Sequence, residues 1–221
     1  MSAWWTYRLS DILPFSPQTY YRLFELHNPA VWPAQLLAFA AGLAILALLI
    51  SRPPWAGRTI ALLLAATWAF VAWSYFHVRY APLNWAAVYS AYAFAAEALL
   101  LVLSGALGRI TFATPWPLAA KTGSGIVLFA LFLQPLIGPL FGRSWSGVEL
   151  FGIAPDPTVL ATLGVLLAAE RMRWELLAIP LTWCAVTGAT LWAMSSPEAL
   201  LMPATGLLAL ALALSRSLRK A

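Results

Sequence analysis

Glu97 is the first residue in this chain whose type and setting point to chemistry. It lies in Tyr92-Ala93-Phe94-Ala95-Ala96-Glu97-Ala98-Leu99-Leu100, with no other charge in the run. A carboxylate surrounded by hydrocarbon costs several kcal/mol unless it is protonated, paired or wetted, so it is expected to face inward. At helical spacing Ser90, Ala93, Ser104 and roughly Tyr89 share its face. Two readings fit that hydroxyl-bearing stripe: a contact for a proton, cation or solute, or an acid that joins helices by hydrogen bonds.

Gln134 comes next. Pro135 follows it directly, and Pro139 stands one turn later with Gly138 between. Each proline removes an N–H and displaces the carbonyl four residues earlier, which opens those of Leu131 and Pro135. Interrupted helices of this kind build ion and substrate sites in many transporters. They also serve packing alone, with water or neighbours satisfying the backbone. The third constellation is Trp73-Ser74-Tyr75-Phe76-His77-Val78-Arg79-Tyr80-Ala81-Pro82-Leu83-Asn84-Trp85. Trp and Tyr at such a boundary are anchors first. His77, Arg79 and Asn84 form a candidate outer mouth, because histidine titrates near neutrality and suits a proton relay.

Other polar residues read as structural. Asp156, between Pro155 and Pro157, is expected to cap a helix with Pro157 at its first position. Ser146-Gly147-Val148-Glu149 matches a capping box ahead of Leu150 and Phe151, which predicts a short helix in that loop. Glu170, Arg171, Arg173 and Glu175 read as a solvated charged turn. Cys184, Thr182, Thr187, Thr190 and Thr205 read as intramembrane residues that bond back to carbonyls. One cysteine cannot form an internal disulfide, and no metal-ligand spacing occurs, so no cofactor and no metal are expected.

The elements that must position these groups are apolar helices. The chain has 221 residues, 62% of them hydrophobic and 10% charged, and its mean hydropathy is +0.80. A soluble domain is about half apolar and a quarter charged, so a water-soluble globule is excluded. Seven near-continuous apolar windows stand at about 30–50, 59–78, 85–106, 123–142, 157–170, 175–194 and 197–215. Punctuation separates them, as in Ser51-Arg52-Pro53-Pro54 and Ser195-Ser196-Pro197. The fifth window covers only about 21 Å, short of a hydrocarbon core of roughly 30 Å. It either continues through Arg171 and Met172 with snorkelling arginines or is re-entrant.

Charge placement decides for spanning. With seven spans and the amino terminus outside, Arg52, Arg58, Arg109, Lys121, Arg171, Arg173, Arg216, Arg219 and Lys220 fall inside, against Arg8, Arg22, Arg79 and Arg143 outside. A re-entrant fifth window would put Arg216, Arg219 and Lys220 outside. Met1 to Asn28 lacks the basic start and apolar run of a signal peptide. Ser16-Pro17 instead opens a helix over 17–28 that suits the headgroup layer. The expected organisation is an all-α, polytopic membrane helix bundle. Residues 1–29 form an N-terminal interfacial segment, 30–215 the seven transmembrane helices, and 216–221 a basic cytoplasmic tail. The formal charge of +5 reads as basic loops facing anionic lipid, with no nucleic-acid partner.

Three stretches carry a resemblance: Phe15-Ser16-Pro17-Gln18-Thr19-Tyr20-Tyr21-Arg22-Leu23-Phe24-Glu25-Leu26, Pro135-Leu136-Ile137-Gly138-Pro139 and Phe151-Gly152-Ile153-Ala154-Pro155-Asp156-Pro157-Thr158. The chain resembles, over nearly its whole length, an uncharacterised family of bacterial multi-pass membrane proteins catalogued as a domain of unknown function. The resemblance implies a bacterial membrane protein and supplies no activity. The preferred reading of the residues is transport or binding of a small solute, ion or proton in the inner membrane, near Glu97, Gln134, Tyr89 and Ser90. The alternatives are a membrane-embedded enzyme, disfavoured because the common catalytic motifs are missing, and a sensor or assembly subunit that binds a partner on its outer face. No lysine falls inside the seventh window to hold retinal. Ala38-x-x-x-Gly42 permits close helix contact, which leaves oligomeric state open.

Overall fold

A computed structural model of the chain describes residues 15–112 and 118–218. Arg8, Arg219 and Lys220, used above in the topology argument, lie outside the described residues. Eight helices follow one another among the described residues. They are α1 (Pro17–Ala30), α2 (Ala34–Ser51), α3 (Ala56–Tyr80), α4 (Ala87–Ala106), α5 (Leu118–Leu140), α6 (Pro155–Ala168), α7 (Trp174–Ala193) and α8 (Leu201–Leu218). The second part of α3, Val71–Tyr80, and the middle of α5, Phe129–Leu133, are wound as π-helix.

Six of these helices, α2 to α5 with α7 and α8, are long and apolar enough to cross a membrane. Their outward faces carry large apolar side chains such as Leu37, Leu118 and Leu207, each more than half exposed. Such a surface suits lipid, and a chain of this kind is a multi-pass membrane protein by its helices. The expected seventh spanning helix is corrected. α6 has only 14 residues, about 21 Å at 1.5 Å per residue, and every one of them is buried. It packs against α3, α5, α7 and α8 and serves as the central post of the bundle. A helix apolar on all sides is buried either in lipid or in protein; here protein surrounds it.

The chain nevertheless runs from one end of the bundle to the other through residues 148–168. At one end, Asn28 Nδ2 donates to the carbonyls of Ser146 and Val148, and Arg143 pairs with Glu149 and Glu198. At the opposite end, Arg216 donates to the carbonyls of Leu167, Ala169 and Glu170, and Arg173 to that of Arg109. The charged turn around residue 170 is therefore bonded into that end rather than merely solvated. Between the two ends the chain first descends without helix through residues 148–150, turns at 151–153, and then winds as α6.

Ser16 caps α1 as expected, its Oγ accepting from the Thr19 N–H at 3.2 Å with Pro17 following. Tyr20, Leu23, Phe24 and His27 of α1 are buried, so this helix packs on the Arg143 end of the bundle. The expected capping box is not formed. A single 3-10 turn, Trp145–Gly147, is capped by Ser144 instead, and Glu149 turns to Arg143.

Glycine sets the closest crossing. At Gly123 of α5 and Gly164 of α6, each backbone occupies the space where the other's Cβ would stand. Gly125, two residues along, has open space around it. Overpacked sites typically lose about 1–3 kcal/mol. Gly164→Val should therefore lower the melting temperature in detergent markedly. Gly125→Ala should leave it unchanged or raise it slightly, because alanine favours helix over glycine.

Candidate functional site: a polar chamber at the head of the buried helix

Asp156 sits in the first turn of α6 and is only 5% exposed. It does not cap its own helix. The N-cap position belongs to Ala154, which makes no side-chain bond, and the nearby Gly152 N–H donates to Thr158 Oγ1 at 2.9 Å. Gly152 holds φ at +73, where a side chain would be strained, and the turn it makes starts the helix inside the protein. The Asp156 side chain is thus free to reach α7. Its Oδ1 accepts from Trp183 Nε1 at 2.8 Å and from Thr187 Oγ1 at 3.0 Å. Its Oδ2 makes no hydrogen bond to any described residue.

Asp156 shares a cavity of about 20 Å³ with Gln134, Arg143, Glu149, Glu198 and Gly138. That volume holds about one water and no metabolite. Arg143 organises its walls. Its guanidinium lies 2.8 Å from Glu198 Oε1 and 3.5 Å from Glu149 Oε1, and 4.4 Å over the Tyr21 ring. It also fills the space beside Gly138 that a Cβ would need. Glu198 Oε1 accepts a second bond from the Tyr21 hydroxyl, which contacts Ser196 Oγ at 2.6 Å. One cation thus stands among three carboxylates, and burial together with the nearby Asp156 pushes the Glu149 carboxyl above the ordinary range.

Two further spaces adjoin this cavity. Arg143 and Glu198 also line a recess of about 260 Å³ with Tyr21, Phe141 and Ser196. On the other side, Trp183 and Thr187, the two donors to Asp156, line a space of about 130 Å³ with Tyr20, Tyr75, Tyr80, Asn84 and Ser90. The Arg143–Glu198 pair therefore stands between the recess and the inner cavity, and the Asp156–Trp183–Thr187 triad between the inner cavity and the tyrosine-lined space.

The residues singled out in the sequence are divided by this arrangement. Glu97 is fully buried, with 0% exposure, yet neither carboxyl oxygen has a hydrogen-bond partner among the described residues. It lines none of the three spaces. Gln134 is 6% exposed, also with its Oε1 unpartnered, and does line the inner cavity. Glu97 and Gln134 make no bond to each other. Tyr89, assigned to the Glu97 face, is 66% exposed on the outside of α4 beside Trp85, because eight helical steps leave it about 80° round the helix from Glu97. Ser90 lines the tyrosine space.

The expected outer mouth is not assembled. His77 is exposed and stacked on Trp73 at 4.9 Å. Arg79 acts on His27 instead, and Asn84 bonds the Tyr80 hydroxyl and the Ala86 N–H. The break expected at Pro135 takes the form of a π-turn, in which the Gln134 N–H reaches the carbonyl of Phe129. Arg143, Glu149 and Glu198 were missed as a group. The available signal was their rarity in a chain with 8 acidic residues and their shared place at one end of successive helices.

The class that fold and site define is a polytopic helical bundle with a buried polar chamber. The chain belongs to a family of unknown function, DUF6064, which matches residues 17–221. No curated protein and no solved structure matches it.

His27 gives a pH test of this end of the bundle. Burial, then the Arg79 charge, lowers its pKa to about 4, against a bond to the Ile153 backbone that raises it. The unfolded chain takes up this proton near 6.5, so stability is full above that value and declines as pH falls towards 4. Over that window the loss approaches about 3 kcal/mol. Glu149, with its raised pKa, contributes in the opposite direction, most at low pH and less as pH rises. The difference in melting temperature between His27→Gln and the native protein should therefore be read from pH 7 to pH 4. The native protein should lose stability relative to the variant across that range.

Proposed function

We propose that this chain is a multi-pass protein of the bacterial cytoplasmic membrane, amino terminus outside, that carries protons through the Asp156 chamber. The excess of basic residues at the Arg216 end supports that orientation. One observation carries the functional reading: a buried aspartate whose two hydrogen bonds both fall on one oxygen lines a water-sized cavity, which it shares with Gln134 on an interrupted helix. Acids buried in this way mark proton relays and ion paths in membrane proteins.

A proton suits the site better than a metal ion or an organic solute. No three acidic, histidine or cysteine side chains converge as a metal site among the described residues, and Arg143 intervenes between two of the carboxylates. The inner cavity admits little beyond water. The path reads from the recess, past Arg143–Glu198, to Asp156.

Proteoliposomes with a trapped pH dye and an imposed potassium diffusion potential test this reading. The native protein is expected to acidify or alkalinise the lumen according to the sign of the potential. Asp156→Asn, which keeps the acceptor for Trp183 and Thr187, should reduce the rate at least about tenfold, in line with the loss of a proton-transfer group. Glu97→Gln should leave it within about twofold, since Glu97 touches no part of the path. No flux from the native protein, or equal flux from Asp156→Asn, overturns the reading and returns the question to an embedded enzyme or a partner-binding subunit.

A further inference from the structure

The tyrosine-lined space beside the chamber has a character of its own. Tyr20 comes from α1, Tyr75 and Tyr80 from the π-wound part of α3, and Trp183 and Thr187 from α7. Tyr80 follows Tyr75 by five positions, a spacing that an α-helix would splay to different faces. The wider π-turn, closed by bonds five residues back, brings them together, and their rings stand 5.9 Å apart. Tyr20 completes the corner at 6.3 Å from Tyr80.

The volume is about 130 Å³. An apolar cavity of about 150 Å³ takes benzene, so this one has room for a molecule of about four to six heavy atoms. The Tyr75 hydroxyl is fully buried beside that of Tyr20 and makes no hydrogen bond of proper geometry. It is a buried oxygen at the wall of this space, which opens past Ala86 and Val186, and it is still open to a donor.

The electrostatics are one-sided. The wall residues Trp183 and Thr187 both donate to Asp156, so a carboxylate lies directly behind them. The charged groups that act on the Tyr20 phenol are the carboxylates of Asp156 and Glu149, and with burial they raise its pKa well above the usual value. Aromatic faces are electron-rich and attract cations, most strongly where water is excluded. The carboxylates behind this wall disfavour an anion, although Arg79 acts on His27, whose ring packs on Tyr75 from the α1 side, and a neutral apolar guest would leave the Tyr75 hydroxyl unpaired.

We infer that the space between α1, α3 and α7 is a binding site for a small alkylammonium ion, its N–H groups donating to the tyrosine oxygens and its charge held by the rings and the Asp156 carboxylate behind Trp183. The site stands on this cavity and does not require proton movement at Asp156.

The full-length protein in neutral detergent, with no gradient present, can be titrated with isopropylammonium chloride by saturation-transfer NMR. 2-Propanol serves as the neutral isostere and acetate as the anion, at matched ionic strength. Isopropylammonium is expected to saturate at least about tenfold more tightly than 2-propanol, the size of a desolvated cation–aromatic contact, and acetate not to bind. Tyr80→Leu should weaken binding about fivefold or more, whereas Tyr80→Phe, which keeps the ring, should stay within about twofold. Equal binding of the ammonium and the alcohol, no ammonium binding, or no effect of Tyr80→Leu overturns the inference. If Tyr80→Leu does not fold, the comparison of the three probes on the native protein decides alone. Absence of proton flux with selective ammonium binding would sink only the proton reading, and the converse result only this one.

Discussion

The rest of the structure depends on the need to bury α6 whole. A 14-residue helix enclosed by protein on every side must find partners for the backbone groups at both of its ends. At its carboxyl end Arg216 meets this need by donating to the carbonyls of Leu167, Ala169 and Glu170. Hydrogen bonds to a charged group contribute about 1.5–3 kcal/mol each, so this one side chain fixes where α8 lies against the post. Along the shaft, Trp68 donates to Thr162, tying α3 to α6 at 2.8 Å. At the amino end the N-cap Ala154 supplies no side-chain bond, and Asp156 in the first turn holds Trp183 and Thr187 of α7 instead. The chamber is thus a consequence of starting a helix inside the protein.

That origin explains why polar groups collect where they do. Residues 148–150 descend without helical structure; the Leu150 carbonyl accepts from the Ile153 and Ala154 N–H groups, and Asn28 reaches across from α1 to the Val148 carbonyl. Arg143 then holds Glu149 and Glu198 on either side of the same opening. A buried cation among carboxylates is weak evidence for stability, because desolvation opposes the attraction. Its value here is positional: it places α5, the descending segment and the start of α8 around one cavity.

The six long helices were legible from hydropathy, and Ser16-Pro17 from capping chemistry alone. The fifth window, at 157–170, differs from a spanning helix for a physical reason. Apolarity on all sides is the same whether lipid or protein covers the helix, and Val159 to Ala168 give no polar face to tell them apart. Glu97 was legible as buried but not as partnerless, since one helix's face says nothing about what packs on it. The chamber was not legible. Arg143 and Glu198 are 55 positions apart and Asp156 and Trp183 are 27 apart, and Arg143 and Asp156 each have a sufficient local explanation, as a loop charge and as a cap. Tyr75 and Tyr80 belong together only because α3 is π-wound, which the sequence pattern does not announce.

The central claim is that the Asp156 carboxyl sits inside the bundle in contact with water. Infrared difference spectra of the membrane-reconstituted protein between alkaline and acidic pH address it directly. The account predicts a protonated-carboxyl band that shifts within minutes of transfer to D2O and disappears in Asp156→Asn. A spectrum unaltered by that substitution, or a band that does not move in D2O, would contradict it.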